Sequence, residues 1–206
     1  YGLLVPAGES LFATLTSAPL QGDLDLELYA PDGLTLLDQS DSGAATETVS
    51  TLLVDTEGVY LIRVRGDAGV EAQYDLRLEL TTPADGVDLQ IDSLQVLPTA
   101  VLQGQELEVR FELLNFGIVE AAASTAGIFL SQDGVLDQSD LRLGGIAMPP
   151  VPGASRRAAT GSFLPPLNLP GGTYLLFVLA DEADEVVEVD ETNNEAGSPP
   201  IELLVP

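Results

Sequence analysis

The stretch Leu107-Glu108-Val109-Arg110-Phe111-Glu112-Leu113 decides the fold class. Its apolar residues, Leu107, Val109, Phe111 and Leu113, alternate with Glu106, Glu108, Arg110 and Glu112. Successive side chains of an extended strand point to opposite faces, so this spacing describes a strand with one dry face and one wet face. The same alternation sets Leu24, Leu26 and Leu28 against Asp23, Asp25 and Glu27, and Tyr74, Leu76, Leu78 and Leu80 against Asp75, Arg77 and Glu79. Helical periodicity is nearly absent. The Ala-rich run from Val119 to Ser124 is too short to stand alone as a helix.

Turn-forming residues separate these runs at short intervals: Pro6-Ala7-Gly8, Pro31-Asp32-Gly33, Asp41-Ser42-Gly43, Asp133-Gly134 and Pro170-Gly171-Gly172. Many short strands with regular punctuation predict an all-β protein built from β-sandwiches. The strand pattern stops at Leu80 and restarts at Leu89, across Thr81-Thr82-Pro83-Ala84-Asp85-Gly86. The expected organisation is therefore one β-sandwich over 1–82, a short linker over 83–86, and a second β-sandwich over 87–206. Each half carries a tyrosine just after a tight turn, in Gly58-Val59-Tyr60 and Gly172-Thr173-Tyr174. That placement predicts a tyrosine corner, with the ring inside and the hydroxyl bonded to backbone.

The composition excludes several functions. Thirty-three acidic residues face 7 basic ones, for a net charge of −26, and all the basic residues are arginine. Such a surface repels nucleic acid and anionic membranes and attracts cations. It fits a salty or calcium-containing exterior, and a halophilic source would give the same composition. With no cysteine and no histidine, disulfides, thiolate chemistry and the usual general base are missing. No apolar run approaches the roughly 18 residues needed to insert into a membrane. The chain begins at Tyr1, the form expected of a piece of a longer protein.

Catalysis is not expected. A carboxylate pair acting as acid and base needs one acid with a raised pKa beside apolar walls. Tryptophan is absent and aromatic residues make up 5%. Gly-x-Ser-x-Gly does not occur, and no P-loop or GxGxxG follows a strand.

Residues 2–80 resemble the bacterial pre-peptidase C-terminal (PPC) domain. The resemblance rests on Val5-Pro6-Ala7-Gly8-Glu9-Ser10-Leu11, on Gly22-Asp23-Leu24-Asp25-Leu26-Glu27-Leu28-Tyr29, and on Ser40-Asp41-Ser42-Gly43. It continues through Gly58-Val59-Tyr60-Leu61-Ile62-Arg63-Val64 and closes with Tyr74-Asp75-Leu76. It implies a jelly-roll-like, non-catalytic sandwich attached to exported peptidases and other enzymes, with calcium bound in some members. Residues 87–205 resemble the CARDB family, the cell-adhesion-related domain found in bacteria. Here the matching residues are Asp88-Leu89-Gln90-Ile91, Asn115-Phe116-Gly117 in place of an Asn-x-Gly turn, Leu130-Ser131-Gln132-Asp133, Gly172-Thr173-Tyr174 and Asp181. The closing tail, Val187-Glu188-Val189-Asp190-Glu191-Thr192-Asn193-Asn194, is the most specific string in the chain. This resemblance implies an immunoglobulin-like sandwich on surface or secreted proteins.

Three acidic groups are candidate calcium ligands, because calcium takes about six to eight oxygens. Asp23 and Asp25 share a strand face, with Asp41 as a third acid from the first resemblance. Asp133, Asp137 and Asp140 share one loop near Ser131. Glu188, Asp190, Glu191, Asn193, Asn194 and Glu195 make a dense tail cluster in which uncompensated carboxylates repel. Each group also has a plainer reading: a solvated strand face for the first, Asx turns for the second, and a left-handed turn at Asn193-Asn194 with solvated acids for the third. Arg156-Arg157, the one adjacent basic pair, is expected to dock on acids of this chain or a neighbour.

The function expected is that of a non-catalytic accessory or adhesion module pair of a secreted or cell-surface bacterial protein. It would bind an extracellular polymer or protein, or adjacent domains of its own longer chain, with calcium as the one cofactor in view. The alternative is a purely structural spacer beside an exported hydrolase. A binding module predicts a contiguous exposed apolar or aromatic patch of several hundred Å², whereas a spacer predicts a uniformly acidic surface.

Overall fold

The structure is a computed structural model and describes residues 1–17, 23–41, 45–66 and 72–205. Gly22, Ser42 and Gly43, which belong to the first resemblance and to one expected turn, lie outside the described residues. All regular structure among the described residues is β, and Val119–Ser124 forms no helix. The chain divides into two compact units, Tyr1–Pro83 and Ala84–Pro206.

The first unit runs β1 (Gly2–Val5), β2 (Ser10–Ser17), β3 (Leu24–Tyr29), β4 (Leu36–Ser40), β5 (Thr46–Thr51), β6 (Gly58–Gly66) and β7 (Tyr74–Thr81). A four-stranded sheet has the order β1-β6-β3-β4 and a three-stranded sheet the order β5-β2-β7, with every pairing antiparallel. One core takes side chains from both sheets: Leu24, Leu26, Leu28 and Ile62 from the first, and Leu11, Ala13, Leu15 and Val49 from the second. Alternation explains each strand, because the residues between these face outward. The β3–β4 connection follows from its turn chemistry. Asp32 Oδ1 accepts the Leu34 and Thr35 amides at 2.9 and 2.8 Å, and Gly33 takes a positive φ of 68°. Leu80, expected inside, is 40% exposed near the end of β7, which is an edge strand.

The second unit runs β8 (Leu89–Leu97), β9 (Ala100–Leu102), β10 (Leu107–Asn115), β11 (Ser124–Ser131), β12 (Leu141–Met148), β13 (Ser155–Phe163), β14 (Gly172–Leu179), β15 (Glu195–Gly197) and β16 (Ile201–Leu204). A three-stranded sheet has the order β13-β10-β8. A second sheet has the order β12-β11-β14-β16-β9, with β15 also paired to β14. The β16–β9 pairing is parallel. Leu107, Val109, Phe111 and Leu113 meet Ala126, Ile128, Leu176 and Val178 in one core between these sheets. Ala84 and Gly86, placed in the expected linker, accept the Ile118 and Val119 amides at 3.0 and 2.9 Å. Gly117 allows this approach, since a Cβ there would lie 2.1 Å from the Gly86 carbonyl oxygen.

Both expected tyrosine corners have the predicted bond. Tyr60 and Tyr174 are buried, and each hydroxyl donates to the carbonyl four residues upstream, Thr56 at 3.3 Å and Pro170 at 3.0 Å. A neutral hydrogen bond of this kind contributes about 1 kcal/mol. Tyr174→Phe is expected to lower unfolding stability by about that amount, and Tyr60→Phe by less, because its bond is longer. Urea titrations of the two variants check the order, and a neutral Tyr174→Phe would show that the corner does not hold the turn.

Candidate functional site

In the first unit, the outward face of the four-stranded sheet is built from register pairs. Asp25 lies opposite Arg65, Glu27 opposite Arg63, Tyr29 opposite Leu61, and Leu4 opposite Val59. Directly opposed residues share a face, so these side chains form one surface. At one end, Asp23, Asp25 and Asp41 each offer a carboxylate oxygen, and these oxygens lie within 4.8 Å of one another. None of the three is fully buried. Burial, then the neighbouring Asp41 and Asp23 carboxylates, push the Asp25 carboxyl above its ordinary range, and Arg65 opposes them. An oxygen-only, acidic trio of this kind suits a hard cation.

Glu27 is next along the face and, unlike an ordinary outward acid, is buried. Arg63 Nη2 and Arg65 Nη1 reach its two oxygens at 2.6 and 2.9 Å, and the Tyr29 hydroxyl donates to it at 2.7 Å. Burial alone would raise its pKa. The bonds from Tyr29, Arg63 and Arg65 outweigh that and hold it at about 2. The Arg63 guanidinium also covers the Tyr29 ring at 5.4 Å. Beyond this ion pair, Leu4, Leu36, Val59 and Leu61 are exposed in adjoining register positions.

In the second unit, the carboxylates of Asp133, Asp137 and Asp140 are engaged by their own loop. Asp133 Oδ1 accepts the Val135 amide at 3.0 Å and the Ser131 hydroxyl at 3.2 Å. Asp137 Oδ1 accepts the Ser139 hydroxyl and amide at 2.6 and 2.7 Å, which hold its carboxyl below the usual range. Asp140 Oδ2 accepts the Asp137 amide at 2.8 Å. Among the described residues, Asp23, Asp25 and Asp41 are the one acidic trio whose oxygens all lie within 4.8 Å of one another.

The tail is packed more tightly. Asp190 is absorbed by a local turn, accepting the Thr192 hydroxyl and amide at 2.6 and 2.9 Å, and Glu195 is exposed on β15. Glu188 reaches across to β8, where Oε2 accepts the Leu89 amide at 2.5 Å, while Oε1 accepts Asn194 Nδ2 at 3.1 Å. Glu191 Oε1 accepts the Glu188 amide at 2.9 Å, and Oε2 accepts Asn194 Nδ2 at 3.3 Å. Asn193 Nδ2 donates to buried Asp88 at 2.8 Å. Burial first, then Glu191 and Asp181, push Glu188 up to about 7, while Leu89 and Asn194 pull the other way. Asp181, which was not among the expected ligands, packs into the same segment. It is buried with a positive φ of 42°, and its Oδ2 accepts the Val186 amide at 2.6 Å. Its sequence signal was an Asp set directly after the apolar run of β14 and ahead of the acidic tail.

The start of β8 is fixed by Asn115. Fully buried, it donates through Nδ2 to Val119 and Val151 carbonyls at 2.7 and 3.0 Å and accepts the Gly117 and Asp88 amides at 3.1 and 3.3 Å. Arg156 pairs with Glu112 at 3.1 Å, and Arg157 donates to the Pro150 carbonyl at 2.9 Å, so both members of the basic pair dock within their own unit.

Among the described residues, the carboxylates serve turns, ion pairs and one acidic trio whose oxygens lie close together. They belong to an all-β protein of the adhesion or accessory class. Residues 86–198 match CARDB over more than half of the chain, and the chain belongs to the CARDB family. Among solved structures, it is similar to the CARDB domain of the PF1109 protein from Pyrococcus furiosus in complex with di-metal ions, at 16% identity over 60% of this chain and 94% of that one, TM-score 0.46. The solution structure of that domain is similar at 18% identity over 58% and 97%, TM-score 0.44. A family 2 β-galacturonidase from Eisenbergiella tayi bound to glycerol is similar at 6% identity over 98% of this chain and 34% of that one, TM-score 0.44. No curated protein matches in sequence.

Asn115→Ala removes the partners of two carbonyls and two amides, three of them in buried bonds. It is expected to cost about 3 kcal/mol, read by chemical denaturation. A loss under about 1 kcal/mol would mean that the surrounding backbone finds other partners.

Proposed function

We propose that the chain is a pair of tandem β-sandwiches from a secreted or cell-surface protein, PPC-like and jelly-roll-like over 1–82 and immunoglobulin-like over 87–206. The pair works by adhesion to an extracellular protein, with calcium fixing acidic parts of the surface. The CARDB match over residues 86–198 carries this reading. Support for the first unit comes from the order of its quoted motifs and from a core shared between two antiparallel sheets.

A binding module, unlike a spacer, needs an apolar patch. The adjoining Leu4, Leu36, Val59 and Leu61, exposed by 58, 43, 48 and 38%, favour binding. The patch is aliphatic apart from Tyr29, whereas sugar-binding faces stack aromatic rings. This favours a protein over a polysaccharide. Leu4→Ser/Val59→Ser/Leu61→Ser is expected to lower retention of chain-coated beads on immobilised envelope proteins by about tenfold with an unchanged melting curve. Retention on polysaccharide alone, or equal retention of variant and parent, would overturn the protein-adhesion reading.

For calcium, the Asp23-Asp25-Asp41 trio is the favoured site in the first unit. At ten times its dissociation constant, calcium adds about 1.4 kcal/mol of stability by linkage. Scanning calorimetry in calcium against chelator, with sodium at matched ionic strength, is expected to raise the first unit's transition by several degrees, and Asp25→Asn to remove that rise. An undiminished rise in Asp25→Asn would place the ion elsewhere.

A further inference from the structure

The loop from Asp181 to Asn194 leaves three buried oxygens without a donor: Asp181 Oδ1, Asn193 Oδ1 and Asn194 Oδ1. Asp181 and Asn194 are only 5% and 6% exposed. A buried acceptor without a partner has lost its water and gained nothing in return, so native folds rarely keep one, let alone three on one loop. The three belong to one neighbourhood. The Ala180 amide donates to the Asn194 carbonyl at 2.8 Å, which continues the β14–β15 ladder and sets Asp181 beside Asn193. Asn194 Nδ2 holds Glu188 at 3.1 Å, and the Asp181 carboxylate acts directly on Glu188 by repulsion.

All three orphans are acceptors, and so is Glu188 when ionised. What satisfies them together must bring only positive charge or donors. The chain has no lysine and no histidine. The arginines of this unit serve other groups: Arg110 holds Glu108, Arg142 holds Glu182, Arg156 holds Glu112, and Arg157 holds the Pro150 carbonyl. The missing partner therefore comes from solution.

We infer that Asp181, Glu188, Asn193 and Asn194 form an oxygen-only binding site for one divalent cation of the calcium class. The assignment deepens the calcium reading for the tail and is independent of the Asp23-Asp25-Asp41 trio. Two carboxylates balance a double positive charge. Two amide carbonyls supply the neutral oxygens that calcium accepts and magnesium, which keeps its water in a strict octahedron, takes reluctantly. The remaining acids of the tail have other duties. Asp190 closes a turn on Thr192, and Glu191 orients Glu188 and Asn194. The neighbouring Asp88 anchors Asn193 by its amide nitrogen, which turns the carbonyl oxygen away from Asp88.

The test is a calcium titration of the whole ¹⁵N-labelled chain by NMR, from chelator to about 10 mM, well above the weakest calcium modules. Sodium and magnesium series at matched ionic strength run beside it. Saturable shifts are expected at the Leu89, Val186 and Asn194 amides and at the side-chain amides of Asn193 and Asn194. Glu188→Gln, which keeps one acceptor oxygen and the side-chain size and removes the charge, is expected to weaken binding about tenfold or more, as is Asp181→Asn. Asp25→Asn leaves the tail shifts unchanged. Shifts confined to Leu24, Asp25 and Leu26 would overturn this site and leave the first-unit trio standing. An equal response to sodium, or Glu188→Gln binding like the parent, would assign the orphan oxygens to buried water and overturn the proposal.

Discussion

Each unit rests on one buried apolar core to which two sheets contribute side chains. A sheet of three or four strands buries almost nothing alone, so the leucines of β3 and those of β2 keep dry only by facing one another. The second unit repeats this with Leu107, Val109, Phe111 and Leu113 against the inward residues of β11 and β14. Everything chemical about the chain is then left to the outward faces and the connections. The inward positions are spent on leucine, valine and isoleucine, and the chain carries no cysteine or histidine.

The second constraint is charge. Seven arginines meet 33 acids, and the structure uses the arginines inside the fold. Arg63 and Arg65 neutralise buried Glu27, Arg142 clamps Glu182, and Arg156 pairs with Glu112. Exposed pairs of this kind contribute little to stability. Glu27 differs because its carboxylate is dry and holds three donors. Other acids solve the problem locally. Asp32, Asp137 and Asp190 each accept from a hydroxyl and an amide two or three residues on, which keeps an ionised carboxylate stable at the surface.

The strands were legible in the sequence because alternation is a local signal, and the tyrosine corners were legible because a turn followed by Tyr fixes where the hydroxyl goes. What was not legible depends on tertiary cover. Glu27 reads as one more wet-face acid, and only the register that places Arg63 and Arg65 over it makes it buried. Leu80 reads as core and is exposed, because alternation cannot tell an edge strand from a central one. Asn115 takes an inward position of β10 where alternation calls for an apolar residue, and there it satisfies four backbone groups, while Leu114, on the opposite phase, is buried as well. The candidate cation ligands were legible as composition and not as geometry. Spacing gave three acidic groups equal standing. The fold brings the oxygens of Asp23, Asp25 and Asp41 together, engages Asp133, Asp137 and Asp140 in Asx turns, and adds Asp181 to the tail.

The tail matters to the second unit for a mechanical reason. Glu188 bonds the first amide of β8, Asn193 bonds Asp88, and the Val189 amide donates to the Val87 carbonyl at 2.8 Å. Through Ala180 and β15 the same segment is fastened to β14, which lies in the other sheet. The segment therefore ties one sheet to the other. In this segment the Glu191 and Asp181 carboxylates act, after burial, against the ionised form of Glu188, so a compensating positive charge favours the closed arrangement. The closure of the second core and the compensation of these oxygens are thus one problem.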